Sequence, residues 1–282
     1  MSDFTPEWLD QRESVDRRSR DPVLLAALRA RFAAAGRTTV CELGAGAGSL
    51  LRALAPLLSE RQEWHLIDSD RDNLAAARDK LASWADACEQ GESLTLHRGR
   101  QEIAVHFVER DLSQELTPAL GDAELVAASA LFDLAGPAWL GDLARALAAN
   151  RQSFYVSLTF CGGLAADPPQ QLDSALAAAF AAHQRNDKGL GGVAAGPSAH
   201  DLLVAALSAN GADVQEGDSS WHLAEGEQAL LQTMVRDYAA VALETGLLPA
   251  AAIAAWRDAH LARCRRLSIG HRDLFATWPE AA

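Results

Sequence analysis

The four cysteines of this 282-residue chain, Cys41, Cys88, Cys161 and Cys264, show no paired spacing, so neither a zinc site nor a disulfide framework is indicated. Cys41 lies inside an apolar run and reads as a small core residue. Long hydrophobic runs are also missing, since none reaches the roughly 18 residues that a membrane span requires. The first residues, Met1-Ser2-Asp3-Phe4-Thr5-Pro6, are acidic and polar where a secretory leader is basic and then apolar. A cytoplasmic protein without a membrane partner is therefore expected. Positive charge is scarce as well, with 25 Lys and Arg against 38 Asp and Glu and a formal net charge of −13. That balance argues against a surface built for polyphosphate backbones, so no nucleic-acid partner is expected. No internal repeat, low-complexity tail or linker divides the chain. The expectation is one domain over residues 1–282: a helical cap at 1–36, a core at 37–160, a helix and loop at 161–197, and a sheet edge at 198–282 with a helical insertion at about 226–265.

What the chain does have is an ordinary globular composition, 49% hydrophobic and 22% charged, with alanine-rich helices supplying much of the apolar share. Its most informative stretch is Val40-Cys41-Glu42-Leu43-Gly44-Ala45-Gly46-Ala47-Gly48-Ser49-Leu50. The apolar run 38–41 reads as a buried strand, Glu42 ends it, three alternate glycines turn the chain, and 49–58 has the apolar spacing of a helix. Glycine suits such a turn because it accepts positive φ and lets a ligand approach the backbone closely. A second strand, 64–68, ends in Asp68, 24 positions after Gly44, near where nucleotide-binding folds place a carboxylate on the ribose hydroxyls. Ser69-Asp70-Arg71-Asp72 reads as a helix cap, followed by a helix over 71–89 with Leu74, Ala77, Leu81, Trp84 and Cys88 on one face. Residues 93–97 and 103–110 alternate like strands, 122–131 is a fourth strand, 141–150 a helix and 152–160 a fifth strand. Strand–helix units with short connections predict an α/β fold: a doubly wound, mostly parallel sheet with helices on both faces.

Two kinds of nucleotide site compete for the glycine turn. A dinucleotide fingerprint G-x-G-x-x-G starting at Gly44 puts its third glycine at Ser49, which is not glycine. The chain instead reads E-x-G-x-G-x-G, which resembles motif I of the class I, Rossmann-like S-adenosylmethionine-dependent methyltransferases, of the bacterial small-molecule type. The resemblance covers about residues 40–160 well and the final strands weakly. It implies a seven-stranded sheet whose last two strands form an antiparallel edge hairpin, and S-adenosylmethionine as cofactor. In that family the glycine turn holds the amino-acid end of the cofactor with the acid close by, which implicates Glu42, Gly44, Ala45, Gly46 and Gly48. A carboxylate there also suits a sulfonium cation better than a pyrophosphate. Asp68, with Ser69, falls at the ribose. Asp111 and Leu112, after the third strand, fall where the family reads the adenine amino group and ring; a helix cap at Asp111 is the alternative reading. Ser129 ends the fourth strand at the crevice where the sheet order reverses. The Asn/Asp-Pro-Pro-aromatic signature of DNA adenine methyltransferases is missing there, and Asp167-Pro168-Pro169-Gln170 reads as a turn and helix start.

The acceptor side is carried by fewer signals. Phe132 and Asp133 follow the fourth strand. His183-Gln184-Arg185-Asn186-Asp187-Lys188-Gly189-Leu190-Gly191-Gly192, behind a helical pattern at 172–183, gathers imidazole, amide, carboxylate and amine beside three glycines, the composition of a polar binding loop hinged to move. His183, Asp187 and Asp133 are the candidate catalytic groups, able to position or deprotonate a nucleophile. Phe132, Gln184, Lys188 and Arg12 are candidate substrate contacts, although Arg12, Arg17, Arg18 and Arg20 together also read as a solvated helix face. A helix at 198–210, a strand at 213–223, helices at 227–244 and 249–265 and a last strand at 268–276 complete the pattern. The helical pair interrupts the edge hairpin, and extending the core, covering the acceptor and forming a homodimer are all open to it. The implied function is methyl transfer from S-adenosylmethionine to a small-molecule acceptor by in-line displacement. A nicotinamide-dependent oxidoreductase and a non-catalytic cofactor-binding protein on the same fold are the alternatives.

Overall fold

In the computed structural model, which describes residues 5–114 and 116–279, ten strands form one sheet among the described residues. The leader reading of residues 1–4, the ends of the expected domain and the Glu115 position of the supposed cap after Asp111 lie outside the described residues. Two helices, α1 (Pro6–Ser19) and α2 (Pro22–Phe32), precede β1 (Thr38–Leu43). Both begin as their sequences dictate, with proline in the first turn. Asp21 caps α2 by accepting from the backbone N–H of Val23 and Leu24 at 2.8 and 3.0 Å. After α3 (Ser49–Leu54) come β2 (Arg61–Asp68), α4 (Arg71–Trp84), β3 (Ala87–Gln90), β4 (Leu94–Arg98) and β5 (Gln101–Glu109). Then follow α5 (Thr117–Leu120), β6 (Leu125–Ser129), α6 (Pro137–Asn150), β7 (Ser153–Asp167), α7 (Asp173–Gln184) and α8 (Ala199–Ala209). The chain closes with β8 (Asp213–Asp218), β9 (Trp221–Leu223), α9 (Gln228–Thr245), α10 (Ala250–Arg263) and β10 (Arg266–Thr277).

The strand order is β3-β4-β5-β2-β1-β6-β7-β10-β8, with β9 pairing the start of β10. Strands β5, β2, β1, β6 and β7 are mutually parallel, and β10 lies antiparallel between β7 and β8. Alternation along the strands sends Val40, Trp64, Leu66, Leu125 and Tyr155 to one face, against Leu24, Leu28, Leu51 and Leu74. Leu43, Ile67, Val126, Phe154 and Val156 go to the other, against Leu140, Leu143, Leu203 and Leu207. A third apolar cluster lies where β7 and β10 overshoot the rest of the sheet and are covered by α7, α9 and α10. No helix among the described residues is long and apolar enough to cross a membrane.

Four sequence expectations need correction. The sheet has ten strands where seven were expected. The helix expected over 71–89 stops at Trp84, and Cys88 sits in β3 opposite Leu96 of β4, so a cross-strand partner has overridden local helix propensity. The strand expected at 152–160 runs on to Asp167 through Gly162 and Gly163, residues that weaken a strand reading because they carry no side chain to pack. Gly270 opposite them has no room for a Cβ, which would lie 2.3 Å from the carbonyl oxygen of Gly162. The expected strand 213–223 is likewise broken into β8 and β9, at a turn where Asp218 accepts from the Ser220 N–H at 3.0 Å.

One buried carboxylate joins the N-terminal helices to the sheet. Asp273 on β10 is fully buried and accepts from the backbone N–H of Leu158 at 2.8 Å and of Asp21 at 2.9 Å. Leu158 is held at φ +59°, a conformation that costs a branched residue energy and that this hydrogen bond helps to hold. Asp273→Ala should strand these donors and lower stability by about 2–4 kcal/mol, read as a shift in urea midpoint at unchanged slope.

Candidate functional site

A cavity of about 460 Å³ opens at the carboxyl ends of β1, β2, β5 and β6, where the strand order reverses. Its floor is the turn after β1, in which Gly44, Gly46 and Gly48 have φ of +64°, +51° and +72°. Only glycine adopts this succession cheaply, and α1 lies close enough that a Cβ on Gly46 would meet the Leu9 side chain at 3.1 Å. Glu42, Gly44, Ala45 and Gly46 line the cavity, as do Asp68, Ser69, Asp111, Leu112 and Ser129. Gly48 does not; a Cβ there would face Ala77 and Leu81 of α4, so its role is to pack the turn against that helix.

The polar chemistry of the cavity is acidic. Asp16, Glu42, Asp68, Asp70 and Asp111 line it against Arg12, Arg110 and Lys188, and Arg12 is already paired with Asp16 at 2.8 Å. Glu42 is 2% exposed, and its Oε2 has no hydrogen-bond partner among the described residues. Burial pushes its carboxyl up to about 8, with Arg20 and Arg52 opposing and Asp68 adding to the rise. Asp68 accepts from the Gly46 N–H at 2.7 Å through Oδ2 and from the Asp70 N–H at 2.9 Å through Oδ1. Desolvation still raises its carboxyl above the usual range. Each of its oxygens keeps a lone pair for a ligand hydroxyl. Asp111 is exposed and accepts from the Ser113 N–H at 2.8 Å, so it shapes the local turn and faces the cavity together. Leu112 is buried, and its carbonyl is fixed by the Trp139 indole N–H at 2.9 Å. Ala130, next to Ser129, has φ +53° and donates its N–H to the Ser157 carbonyl at 2.9 Å, a strained position of the kind that clusters at functional sites.

A second cavity, about 240 Å³, adjoins the first and shares Arg12, Ala130, Leu134 and Lys188 with it. It contains His183, Gln184 and Asp133 from the expected acceptor set. Asp133 is buried, accepts from Gln184 Nε2 at 3.3 Å, and is pushed up to about 6 by burial against the opposing charges of Arg12 and Lys188. Two members of that set are elsewhere. Phe132 is fully buried in the core, its ring edge-on to Phe154 at 5.6 Å, because the short helical turn after β6 points it back under the sheet. Asp187 is exposed, lines neither cavity, and accepts from the Gly189 N–H at 2.8 Å, so it builds the loop that carries Lys188. That loop is strapped down: Gly136 donates to the Leu190 carbonyl at 2.8 Å, and a Cβ on Gly191 would lie 2.6 Å from Trp139. Gly191 thus serves close approach, whereas Gly189 and Gly192, at φ +83° and +92°, face open space.

Sequence reading missed Leu9, Asp16, Asn73 and Arg110 in the first cavity, and Trp8, Phe180, Trp221, Tyr238 and His271 in the second. Most of the second set comes from α1, α7, α9, β9 and β10, which no local motif brings together. The helical pair includes α9, which supplies Met234, Asp237, Tyr238 and Glu244 to this cavity and packs with α10 in the third apolar cluster.

No protein-family model and no curated protein matches the chain. Among solved structures it is similar to the YcgJ protein of Bacillus subtilis, at 12% identity over 91% of this chain and 98% of that one, with a TM-score of 0.50. It is also similar to the cyclopropane synthase MmaA2 of Mycobacterium tuberculosis, at 10% identity over 90% and 83% of the two chains, TM-score 0.48. Magnesium protoporphyrin IX methyltransferase of Synechocystis, solved with bound SAM, matches at 12% identity over 99% and 85%, TM-score 0.46. At 12% identity the likeness to the YcgJ protein is one of fold.

Burial of Glu42 has a consequence for pH. Its carboxyl lies near 8 when folded against 4.5 for the ordinary group, so folding disfavours ionisation and the protein loses stability as pH rises between those values. Without ligand, Glu42→Gln should therefore gain thermal midpoint over the parent by on the order of 5 °C between about pH 5 and pH 8, with little difference below about pH 4.5. Melting curves of both proteins across that range test it.

Proposed function

We propose that the chain is an S-adenosylmethionine-dependent methyltransferase acting on a small molecule, with the cofactor in the larger cavity and the acceptor in the smaller. The observation that carries this reading is Glu42: a carboxylate buried beside a left-handed glycine turn in the lining of an acidic cavity, with one oxygen unpartnered among the described residues. Such a group calls for a cationic ligand, which would restore its ionised form. The cofactor carries an ammonium and a sulfonium, and when bound it supplies an already activated methyl group. The residues present fit it. Glu42, Gly44, Ala45 and Gly46 would hold its amino-acid end, Asp68 and Ser69 the ribose, and Asp111 and Leu112 the adenine. The cavity volume is that of a drug-sized ligand site.

The chain's own part in the reaction is positioning, exclusion of water and removal of a proton. Alignment of reacting groups can supply roughly 7–11 kcal/mol in favourable cases. Leu9, Arg12 and Asp16 of α1 and Lys188 to Leu190 of the strapped loop close over the cavity, and Ala130 and Leu134 stand where it meets the acceptor cavity. Among the titratable groups of the acceptor cavity, His183 and Asp133 are the candidates for taking a proton. A nicotinamide dinucleotide suits the first cavity poorly: five carboxylates face three cations there, Ser49 replaces the third glycine, and β10 is antiparallel. The reading also includes a cytoplasmic, single-domain protein with no nucleic-acid partner, in keeping with the net charge of −13.

Asp68→Ala removes the ribose acceptor and should weaken S-adenosylmethionine binding by about 1–3 kcal/mol, or roughly 5- to 150-fold. Titration calorimetry on both proteins measures it; equal affinities would remove Asp68 from the site, and no binding to the parent chain would remove the function.

A further inference from the structure

The second cavity is built differently from the first, and its walls say what kind of molecule it takes. Trp8, Phe160, Phe180, Trp221 and Tyr238 line it. The Phe180 and Tyr238 rings stack at 4.3 Å and 19°, and Phe160 meets Phe180 edge-on at 5.4 Å. The Arg12 guanidinium lies 4.9 Å over the Trp221 ring, its charge committed to Asp16, whose Oδ1 also accepts from the Trp221 indole N–H at 3.0 Å. An apolar cavity of about 150 Å³ holds a benzene ring. One of about 240 Å³ therefore holds one or two fused rings.

Burial shifts several groups of this cavity in the direction of their neutral forms. Burial raises the carboxyls of Asp133 and Asp237 and lowers the imidazole of His271, which donates from Nδ1 to the Ile269 carbonyl at 3.1 Å. The charged groups around the cavity already have opposite charges beside them, Arg12 with Asp16, Lys188 near Asp133, Arg236 near Asp237 and Glu244 with His183, so a charged acceptor would have to compete with an existing partner. His183 lines the cavity and pairs with Glu244. Its Nε2 lies 3.1 Å from Oε2 of Glu244, and an ionised carboxylate only accepts, so Nε2 carries the proton and Nδ1 keeps a free lone pair. That Nδ1 is buried and has no hydrogen-bond partner among the described residues. Burial and Lys188 hold the imidazole below its usual value, Glu244 opposing, which favours the neutral, proton-accepting form.

We propose that the acceptor is a flat one- or two-ring aromatic molecule bearing a neutral hydroxyl, with His183 as the general base and Glu244 as the residue that positions it. This rests on the reading of the first cavity as the methyl-donor site. The hydroxyl proton passes to Nδ1 of His183 as the oxygen bonds to the methyl carbon. The carbon–sulfur bond breaks with its electron pair going to sulfur, and the imidazolium then returns its proton to water.

The test uses the full chain with S-adenosylhomocysteine bound and three probes: 2-naphthol, 2-naphthoate and phenethylamine. Quenching of Trp8 and Trp221 fluorescence should show 2-naphthol binding at least about tenfold more tightly than either charged probe. With S-adenosylmethionine, 2-naphthol should be converted to its methyl ether. His183→Gln should keep both ligands within about twofold and lower turnover on the order of 100-fold or more. His183→Asn serves if the first variant does not fold. Glu244→Gln should lower kcat with KM unchanged and move the acidic limb of the pH–rate profile to lower pH, because Glu244 raises the imidazole value. Equal or tighter binding of a charged probe overturns the acceptor assignment, as does failure of 2-naphthol to bind a chain that binds S-adenosylmethionine. Bound 2-naphthol that is not methylated, or full turnover in His183→Gln, overturns the assignment of the base. A chain that binds no S-adenosylmethionine fails at the earlier step.

Discussion

The structure is governed by what happens at β1. Its two neighbours are β2 and β6, and the chain winds out to β2 and β5 before returning to β6. Connections leaving the carboxyl ends of β1 and β6 therefore diverge, and the crossover helices that follow these strands leave a gap between them. The gap is occupied instead by backbone in unusual conformations: Gly44, Gly46 and Gly48 on one side, Ala130 and Leu158 on the other, all at positive φ. Such conformations persist only where surrounding contacts over-determine them. Here the Leu158 N–H is held by Asp273, the Ala130 N–H by the Ser157 carbonyl, and the Gly46 N–H by Asp68.

Burial at this gap sets its electrostatics. Glu42, Asp68 and Asp133 all lie where desolvation raises their carboxyls, and only part of that cost is offset, by Arg20 and Arg52 at Glu42, by backbone N–H groups at Asp68 and by Arg12 and Lys188 at Asp133. Helix α1 closes the region from above. Arg52 pairs with Glu13 at 2.6 Å, Lys80 with Asp10 at 2.5 Å, and Gln11 bonds Thr233 of α9 at 3.2 Å. One helix thus touches the glycine turn, α4 and α9, which is why both cavities end beneath it.

Much of the first cavity was legible from local chemistry. The acid ending β2 was located by its spacing from the glycine turn, and the acid and alternate glycines at 42–48 and the acid–leucine pair after β5 by their resemblance to the methyltransferase pattern. Gly48 shows the limit of such reading, since its periodicity matches the turn while its neighbours are Ala77 and Leu81. Phe132 shows another: the turn after β6 was located, but the direction of that ring depends on Phe154 and Trp139, which lie elsewhere in the chain. The extent of β7 was hidden by its two glycines, and the strand they weaken is stabilised by pairing with β10, about 100 residues away in sequence.

The amino-acid order alone determined the doubly wound sheet and the turn that opens it, because hydrophobic alternation, capping residues and positive-φ glycines act over a few residues. Only the tertiary structure decided that Asp187 would shape a loop while His183 met Glu244, and that Trp8, Phe180, Trp221 and Tyr238 would form one aromatic wall. Those side chains belong to elements whose separation in the chain exceeds any local period. Their meeting depends on how far β7 and β10 overshoot the sheet and on which helices fill the space beyond.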